Sequence, residues 1–181
     1  MTRNLILIGA RGCGKTSVGR ALAARLGWPF VDTDEEIQTF AGRRIRDIFT
    51  QDGEPAFRVL EEQAVARACH GGPKVLSVGG GAVLSEANRK RLRTAGVCIW
   101  LTASPDELHR RTQADARSED TRPPLTEHSG VAEVRHLLAD RSGLYAASAE
   151  HVLETEGRSV AEVVDAILAL AGRAATDSDD T

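Results

Sequence analysis

One stretch near the N-terminus decides the fold, Gly9-Ala10-Arg11-Gly12-Cys13-Gly14-Lys15-Thr16. It fits the P-loop pattern, in which a glycine and four further residues precede Gly-Lys and then Ser or Thr. The uninterrupted apolar run over residues 5–8 comes just before it and predicts a buried parallel strand. After it, Val18, Leu22 and Leu26 share one face of a predicted helix. Strand, glycine loop and helix therefore follow one another in the order that phosphate binding requires.

The chemistry of this loop follows from its glycines and from its place before a helix. Gly12 and Gly14 permit backbone conformations that are closed to other residues, so N–H groups can approach a phosphate closely. These groups and the positive end of the helix together bind anions. Lys15 can reach the outer phosphates, and the Thr16 hydroxyl can coordinate Mg²⁺. The alternative is a glycine-rich turn without a ligand, but the flanking strand and helix favour a nucleoside triphosphate site.

Size and composition indicate one globular domain. The chain has 181 residues, of which 41% are hydrophobic and 27% charged, and these are ordinary values. A net charge of −3 gives no reason to expect nucleic-acid or anionic-membrane binding. No apolar run approaches the roughly 20 residues of a membrane span, and no signal-peptide pattern precedes the first strand. With three cysteines and no close pair among them, we expect a protein of the reducing cytoplasm, and a monomer is the default expectation.

Two carboxylates follow the second predicted strand, Phe30-Val31, in the sequence Asp32-Thr33-Asp34. Ligands of open α/β sheets bind at the carboxyl ends of the strands, so we expect Asp32 and Asp34 to face the phosphate site. A negatively charged first turn of a helix is the alternative explanation.

Further along, residues 35–70 are predicted to be helical, with breaks near Gly42 and at Asp52-Gly53, and to form a lobe over the acceptor substrate. The next strand, 74–78, is followed by Gly79-Gly80-Gly81. Three glycines there either make a tight exit into a helix or let a small polar substrate lie against bare backbone.

The remaining chain continues the alternation of strands and helices, which predicts a parallel sheet with helices on both faces. A polar stretch over residues 113–124 is too long for a plain connector and is predicted to be a mobile lid, with functionless disorder as the alternative. The other predicted elements are a helix at 85–93, a strand at 97–101, a helix from 105 to about 112, a helix at 131–147, a strand at 151–155 and a helix at 159–171.

The type of P-loop protein follows from what accompanies the loop. A switch GTPase needs an Asn-Lys-x-Asp motif, which the sequence lacks. Large mechanical ATPases carry acidic residues at the end of a later strand, whereas here the acid comes early, at Asp32. Small size, a helical insertion and an arginine-bearing lid indicate a small-molecule kinase.

At this level of detail the chain resembles the shikimate kinase family over roughly residues 3–171. The resemblance rests on four motifs and two weaker signatures: the P-loop; Asp32-Thr33-Asp34; Gly53-Glu54-Pro55-Ala56-Phe57-Arg58 with Glu61 and Glu62; Ser77-Val78-Gly79-Gly80-Gly81-Ala82; Arg122-Pro123; and Arg141-Ser142-Gly143-Leu144-Tyr145. It implies an α/β, three-layer α/β/α P-loop kinase fold around a five-stranded parallel sheet in the order 2-3-1-4-5. We accordingly expect one domain, 1–172, with a substrate lobe at about 33–62, a lid at about 112–126 and a disordered acidic tail at 173–181.

The resemblance also implies a reaction, in which ATP phosphorylates the 3-hydroxyl of shikimate on the route to chorismate and the aromatic amino acids. It implies that Arg58 and Arg141 hold the substrate carboxylate, that Asp34 accepts the ring hydroxyls and serves as candidate base, and that Gly79, Gly80 and Gly81 offer backbone contacts. Glu61, one helical turn after Arg58, can hold its guanidinium. Phe57 is expected either to line the pocket or to lie in the core.

On the nucleotide side, the resemblance implies ATP and Mg²⁺ as cofactors. Thr16 would bind Mg²⁺ directly and Asp32 would hold it through water, while Lys15, Asp34 and Arg122 would be the catalytic residues. The implied ATP-binding residues are Gly12, Cys13, Gly14, Lys15, Thr16, Ser17, Arg111, Arg122 and Arg158.

The sequence departs from the family pattern at two places. The lid looks longer than in compact members, with Pro123-Pro124 interrupting the usual Arg-Pro-Leu order. Cys13 stands where a small serine or glycine is usual, and a cysteine at a helix N-terminus is prone to oxidation. We therefore hypothesise that oxidation of Cys13 blocks ATP binding.

The rival functions are a quinate, gluconate or nucleoside monophosphate kinase, or a nucleotide-binding regulator without transfer activity.

Overall fold

The structure is a computed structural model that describes residues 3–114 and 129–176, with side chains as far as Ala171. Its centre is a five-stranded parallel sheet in the order β2-β3-β1-β4-β5, as predicted. The strands are β1 (Asn4–Ile8), β2 (Phe30–Asp32), β3 (Val75–Ser77), β4 (Gly96–Thr102) and β5 (His151–Glu154).

Helices connect the strands and cover both faces of the sheet. They are α1 (Lys15–Leu26), α2 (Thr33–Ala41), α3 (Ile45–Ala68), α4 (Glu86–Ala95), α5 (Pro105–Ala114), α6 (Val131–Ser148) and α7 (Val160–Thr176), with a short 3₁₀ helix at Ala82–Leu84. The predicted three-layer arrangement is confirmed.

The side chains of β1 divide between two apolar layers because successive residues of a strand point to opposite faces. Leu5 and Leu7 join the layer under α1, α5 and α7. Ile6 and Ile8 join the layer under α3, α4 and α6. All four are at most 1% exposed, and each fully buried aliphatic side chain contributes about 1.5–3 kcal/mol relative to exposure. The uninterrupted apolar run is therefore the signature of a strand covered on both sides.

The lobe between β2 and β3 has its own small core. Ile37 of α2 packs with Ile45, Ile48 and Phe57 of α3. Within α3 the backbone departs from helical geometry at Gly53, where φ is 81° and ψ is 170°. The predicted break at Asp52-Gly53 is confirmed, because two helical stretches of α3 meet at a kink there.

Several element boundaries differ from the prediction. β3 is shorter, and α5 continues through Ala114 into the predicted lid because residues 112–114 contain neither Gly nor Pro. α7 continues to Thr176, beyond the predicted end at residue 171 and into the predicted tail. The rest of the predicted lid (115–126), with Arg122 and Pro123-Pro124, and the last five residues lie outside the described residues.

Candidate active site

A cleft of about 650 Å³ lies at the carboxyl ends of β1, β2 and β3, where ligands of parallel sheets bind. It brings together most of the predicted nucleotide-binding residues and part of the predicted acceptor site. Its lining includes Gly12, Gly14, Lys15, Thr16 and Ser17 of the loop and α1, Asp32 and Asp34 after β2, Ser77 and Gly80 near β3, and Arg110, Arg111 and Thr112 of α5.

The loop after β1 takes its shape from glycine. Gly14 adopts left-handed geometry with φ 96° and forms the N-cap of α1. Gly12 has φ 82°, and a Cβ there would lie 2.6 Å from the carbonyl oxygen of Leu108 in α5. The loop therefore lies directly against α5, and a larger residue at position 12 would push the two apart.

The ammonium group of Lys15 lies over the backbone of this loop. Nζ donates to the carbonyl oxygens of Gly9 and Ala10, at 2.8 and 2.9 Å, and lies 3.7 Å from Sγ of Cys13. The side chain of Cys13 is fully buried beneath the loop. Cys13 is not among the residues that line the cleft, and the hypothesised oxidation of its thiol would require the loop to open first.

The predicted metal residues Thr16 and Asp32 are in direct contact. Thr16 Oγ1 donates to Asp32 Oδ2 at 2.9 Å, and Asp32 Oδ1 caps α2 by accepting from the Asp34 N–H at 3.0 Å. Burial raises the pKa of Asp32, as does the charge of Asp34, whereas hydrogen bonds from Thr16, Ser77 and the Asp34 backbone oppose this rise. A hydroxyl and a carboxylate side by side are hard oxygen donors of the kind Mg²⁺ prefers.

In the described part of the chain no three His, Cys, Asp or Glu side chains are grouped to hold a metal. A magnesium ion bound at Thr16 would therefore need ligands that a nucleotide supplies, because Mg²⁺ is usually held by one or two protein groups together with substrate phosphates. The residues present fit that arrangement.

Arg58 of α3 is held between two carboxylates. NH1 donates to Glu61 Oε2 at 2.7 Å, while Nε and NH2 donate to Glu54 Oε1 at 3.0 and 2.7 Å. Glu61 is 1% exposed and Arg58 is 23% exposed, so the pair is largely removed from water. Burial would lower the pKa of Arg58, but the two carboxylates raise it. The predicted support of Arg58 by Glu61 is confirmed.

Each of the three glycines after β3 has a different partner. The Gly79 N–H donates to Thr33 Oγ1 at 3.0 Å, and the Gly80 carbonyl accepts from the buried Tyr145 hydroxyl at 2.6 Å. A Cβ on Gly81 would lie 2.3 Å from NH1 of Arg58. The glycine run therefore lets the backbone pass under the guanidinium, with Gly80 in the wall of the cleft.

Three other predicted residues are placed by their elements. Arg141 lies on α6 one helical turn before Tyr145, and so on the side of the helix that contacts Gly80. Arg158 is exposed in the turn after β5. Phe57 is fully buried and packs its ring against Phe49 at 4.6 Å between centroids, so it belongs to the core and does not line the cleft.

Several residues around the site were not predicted as functional. Ser77 supports Asp32, Thr33 anchors Gly79, and Glu107 and Thr155 contact Arg111. Glu107 and Arg111 are four residues apart on one helix, and this spacing predicts that their side chains meet. The contact of Thr155 crosses 44 positions of sequence, and no local pattern indicates it.

The comparisons with known proteins agree with this geometry. The family model described as shikimate kinase matches residues 11–171. The chain belongs to the shikimate kinase family. A shikimate kinase of Symbiobacterium thermophilum is 44% identical over 165 residues, covering 91% of this chain and 94% of that protein. A shikimate kinase of Rhodopirellula baltica is 40% identical, covering 92% of this chain and 89% of that protein.

Solved structures extend the agreement to three dimensions. The shikimate kinase of Acinetobacter baumannii in complex with shikimate superposes with a TM-score of 0.86 at 34% identity, covering 93% of this chain and 92% of that one. A gluconokinase of Sinorhizobium meliloti has a TM-score of 0.59 at 19% identity, covers 97% of this chain and 94% of that one, and shares only the fold.

Membership of the shikimate kinase family identifies the chain as a kinase, a phosphotransferase that acts on an alcohol group and uses ATP with Mg²⁺. The family predicted from the sequence is thereby confirmed. None of the helices in the described ranges is long and apolar enough to span a membrane.

Proposed function

We propose that this protein transfers the γ-phosphoryl group of ATP to the 3-hydroxyl of shikimate, which yields ADP and shikimate 3-phosphate for the synthesis of chorismate and the aromatic amino acids. One observation carries the proposal: a single cleft joins the phosphate-binding loop to Asp34 and Gly80. A donor phosphate and an acceptor hydroxyl can therefore meet in one space.

The nucleotide occupies the end of the cleft formed by the loop and α5. Backbone N–H groups of the loop bind the phosphates, and Lys15 exchanges its contacts with Gly9 and Ala10 for phosphate oxygens. Thr16 and Asp32 hold Mg²⁺, which supplies positive charge to the phosphates. Arg111 and Arg158 flank the adenine, and the role of Arg122 over the phosphates stays a prediction.

Shikimate occupies the end beside Asp34 and Gly80. Its carboxylate is bound by Arg58, whose guanidinium lies against Gly81 next to Gly80, and by Arg141. A guanidinium suits this task because it forms paired, charge-assisted hydrogen bonds with a carboxylate. Asp34 lines the cleft, where it accepts hydrogen bonds from ring hydroxyls and takes the proton of the attacking one. Phosphoryl transfer then depends mainly on alignment and charge neutralisation, which these residues and Lys15 provide.

The proposal includes a monomer in the cytoplasm. Cys13, Cys69 and Cys98 are all free, which suits a reducing compartment. Analytical ultracentrifugation of the purified chain tests the monomer, and a sedimenting dimer would contradict it.

The activity is tested by a coupled ADP-release assay with shikimate, quinate, gluconate or no acceptor. We expect ADP release that depends on shikimate and is much slower with the other two acceptors. Faster release with quinate or gluconate would assign a different acceptor. Nucleotide binding without acceptor-dependent release would indicate the non-catalytic regulator.

A further inference from the structure

The guanidinium of Arg111 is fixed from three parts of the fold. Nε donates to Glu107 Oε1 of the same helix at 2.7 Å. NH1 donates to Thr155 Oγ1 at 2.9 Å, and NH2 donates to the Thr155 carbonyl at 3.0 Å. NH1 also lies 3.5 Å from the Gly12 carbonyl of the phosphate-binding loop. Most N–H groups of the Arg111 guanidinium therefore bond to protein groups. The flat face of the guanidinium remains for a ligand in the cleft, which Arg111 lines.

The Glu107 carboxylate can accept from Arg111 because Glu156 accepts the hydrogen bond that a glutamate at this helix position usually accepts. Ser104 and Glu107 have the spacing of a capping box, in which the glutamate side chain normally accepts from the N–H of the capping serine. The Glu107 N–H does donate to Ser104 Oγ, at 3.3 Å. The Ser104 N–H, however, donates to Glu156 Oε2 at 2.9 Å, so the second half of the box comes from the β5–α7 turn.

A second capping box in the same chain shows the ordinary arrangement. At the start of α7, the Ser159 N–H donates to Glu162 Oε2 at 2.7 Å, and the Glu162 N–H donates back to Ser159 Oγ at 3.3 Å. The Glu107 carboxylate instead accepts from Nε and NH2 of Arg110 and from Nε of Arg111, each at 2.7 Å.

The surroundings of Glu107 also distinguish it from a surface ion pair. Its side chain is 15% exposed and that of Arg111 is 24% exposed, whereas the equally spaced pair Glu86 and Lys90 is 70% and 68% exposed. Hydrogen bonds from Arg110 and Arg111 lower the pKa of Glu107 to about 2, so it is ionised throughout the neutral range.

We propose that Glu107 is a positioning residue of the nucleotide site, which holds the Arg111 guanidinium flat between Thr155 and the phosphate-binding loop and thereby sets the affinity for ATP. This inference rests on the proposed function, because it takes the end of the cleft beside Arg111 as the ATP site. A planar cation of fixed orientation stacks on a nucleotide base without first losing side-chain freedom.

The test compares Glu107→Gln with wild type and with the matched control Glu86→Gln, which removes an exposed pair of the same spacing. We expect Glu107→Gln to raise KM for ATP, and Kd for MgATP without shikimate, by about tenfold, the effect of replacing a charge-assisted hydrogen bond by a neutral one. KM for shikimate and kcat should stay within about twofold of wild type, and Glu86→Gln should change none of the four.

A double-mutant cycle separates positioning from other effects. If Glu107 acts through Arg111, Glu107→Gln has no further effect on Kd for MgATP in an Arg111→Ala background. Full additivity of the two substitutions, an unchanged Kd in Glu107→Gln, or an equal rise of both KM values would each overturn the proposal. The Kd measurement also keeps this test independent of transfer activity, since wild type without shikimate-dependent ADP release would refute the proposed function alone.

Discussion

Replacing Gly81 by alanine should damage the acceptor site and leave the nucleotide site intact. The added Cβ would lie 2.3 Å from NH1 and 2.9 Å from NH2 of Arg58, where ordinary contact begins at 3.4 Å. The backbone at Gly81 has φ −93° and ψ −7°, which alanine adopts without strain. The guanidinium must therefore move by about 1 Å, and a misplacement of this size costs up to about a hundredfold in catalysis.

The expected result is a rise in KM for shikimate of about tenfold to a hundredfold, which corresponds to about 1.4–2.8 kcal/mol. Because the guanidinium is the end of a flexible side chain, the free energy of unfolding should fall by only about 1–2 kcal/mol. KM for ATP should not change.

The control for this experiment is Gly72→Ala, since a Cβ on Gly72 meets nothing within 4 Å. Steady-state kinetics with each substrate varied in turn, and urea denaturation, provide the measurements. A Gly81→Ala enzyme with the wild-type KM for shikimate would refute the assignment of Arg58 to the substrate carboxylate.

Three further predictions concern the phosphate, metal and acceptor parts of the cleft. Lys15→Ala should lower kcat by at least about a hundredfold with little change in KM for shikimate, because the ammonium group acts on charge that develops during transfer; an unchanged kcat in the ADP-release assay would contradict this. The pKa of Asp32 is raised in the folded protein, so just above the ordinary value of 3.8 the folded protein binds more protons than the unfolded chain. The stability of the nucleotide-free protein therefore falls as pH rises through that region. Asp32→Asn should abolish this fall and unfold at a higher urea concentration at neutral pH while losing activity, and a less stable variant at that pH would refute the argument. Tyr145→Phe leaves the buried Gly80 carbonyl without its hydroxyl donor, which should cost about 1–3 kcal/mol of unfolding free energy and raise KM for shikimate, whereas unchanged values of both would show that the hydrogen bond is dispensable.

The sequence predicted well those features that depend on short-range patterns. The apolar run of β1, the glycine loop and Lys15 are adjacent in the chain, and one motif fixes their order. Asp32 was placed correctly because the end of a parallel strand must face the cleft. The link from Arg58 to Glu61 was also predictable, since three residues along a helix bring two side chains together.

What the sequence did not predict depends on contacts between distant segments. The need for glycine at position 81 arises from Arg58 of another element, and Thr155 reaches Arg111 only because β5 and α5 meet beside the loop. The spacing of Glu107 from Ser104 indicates only a capped helix start. In the structure the Ser104 N–H donates to Glu156 from a distant turn, and the Glu107 carboxylate accepts from arginines.

Phe57 is another residue whose surroundings could not be predicted from the sequence. Its position beside Arg58 allowed either a place in the pocket or a place in the core, because apolar spacing on a helix does not distinguish the two. In the structure Phe57 lies in the core between α2 and α3, and its ring packs against that of Phe49.

The most direct test of the account is the identity of the product. Purified protein, MgATP and shikimate should be incubated together and the product examined by phosphorus–proton correlation NMR. We predict a single phosphomonoester whose phosphorus couples to the ring proton at carbon 3, formed in equal amount with ADP. A phosphomonoester at another hydroxyl, or ADP formed with inorganic phosphate alone, would contradict the central claim that this cleft aligns the 3-hydroxyl of shikimate with the γ-phosphate of ATP.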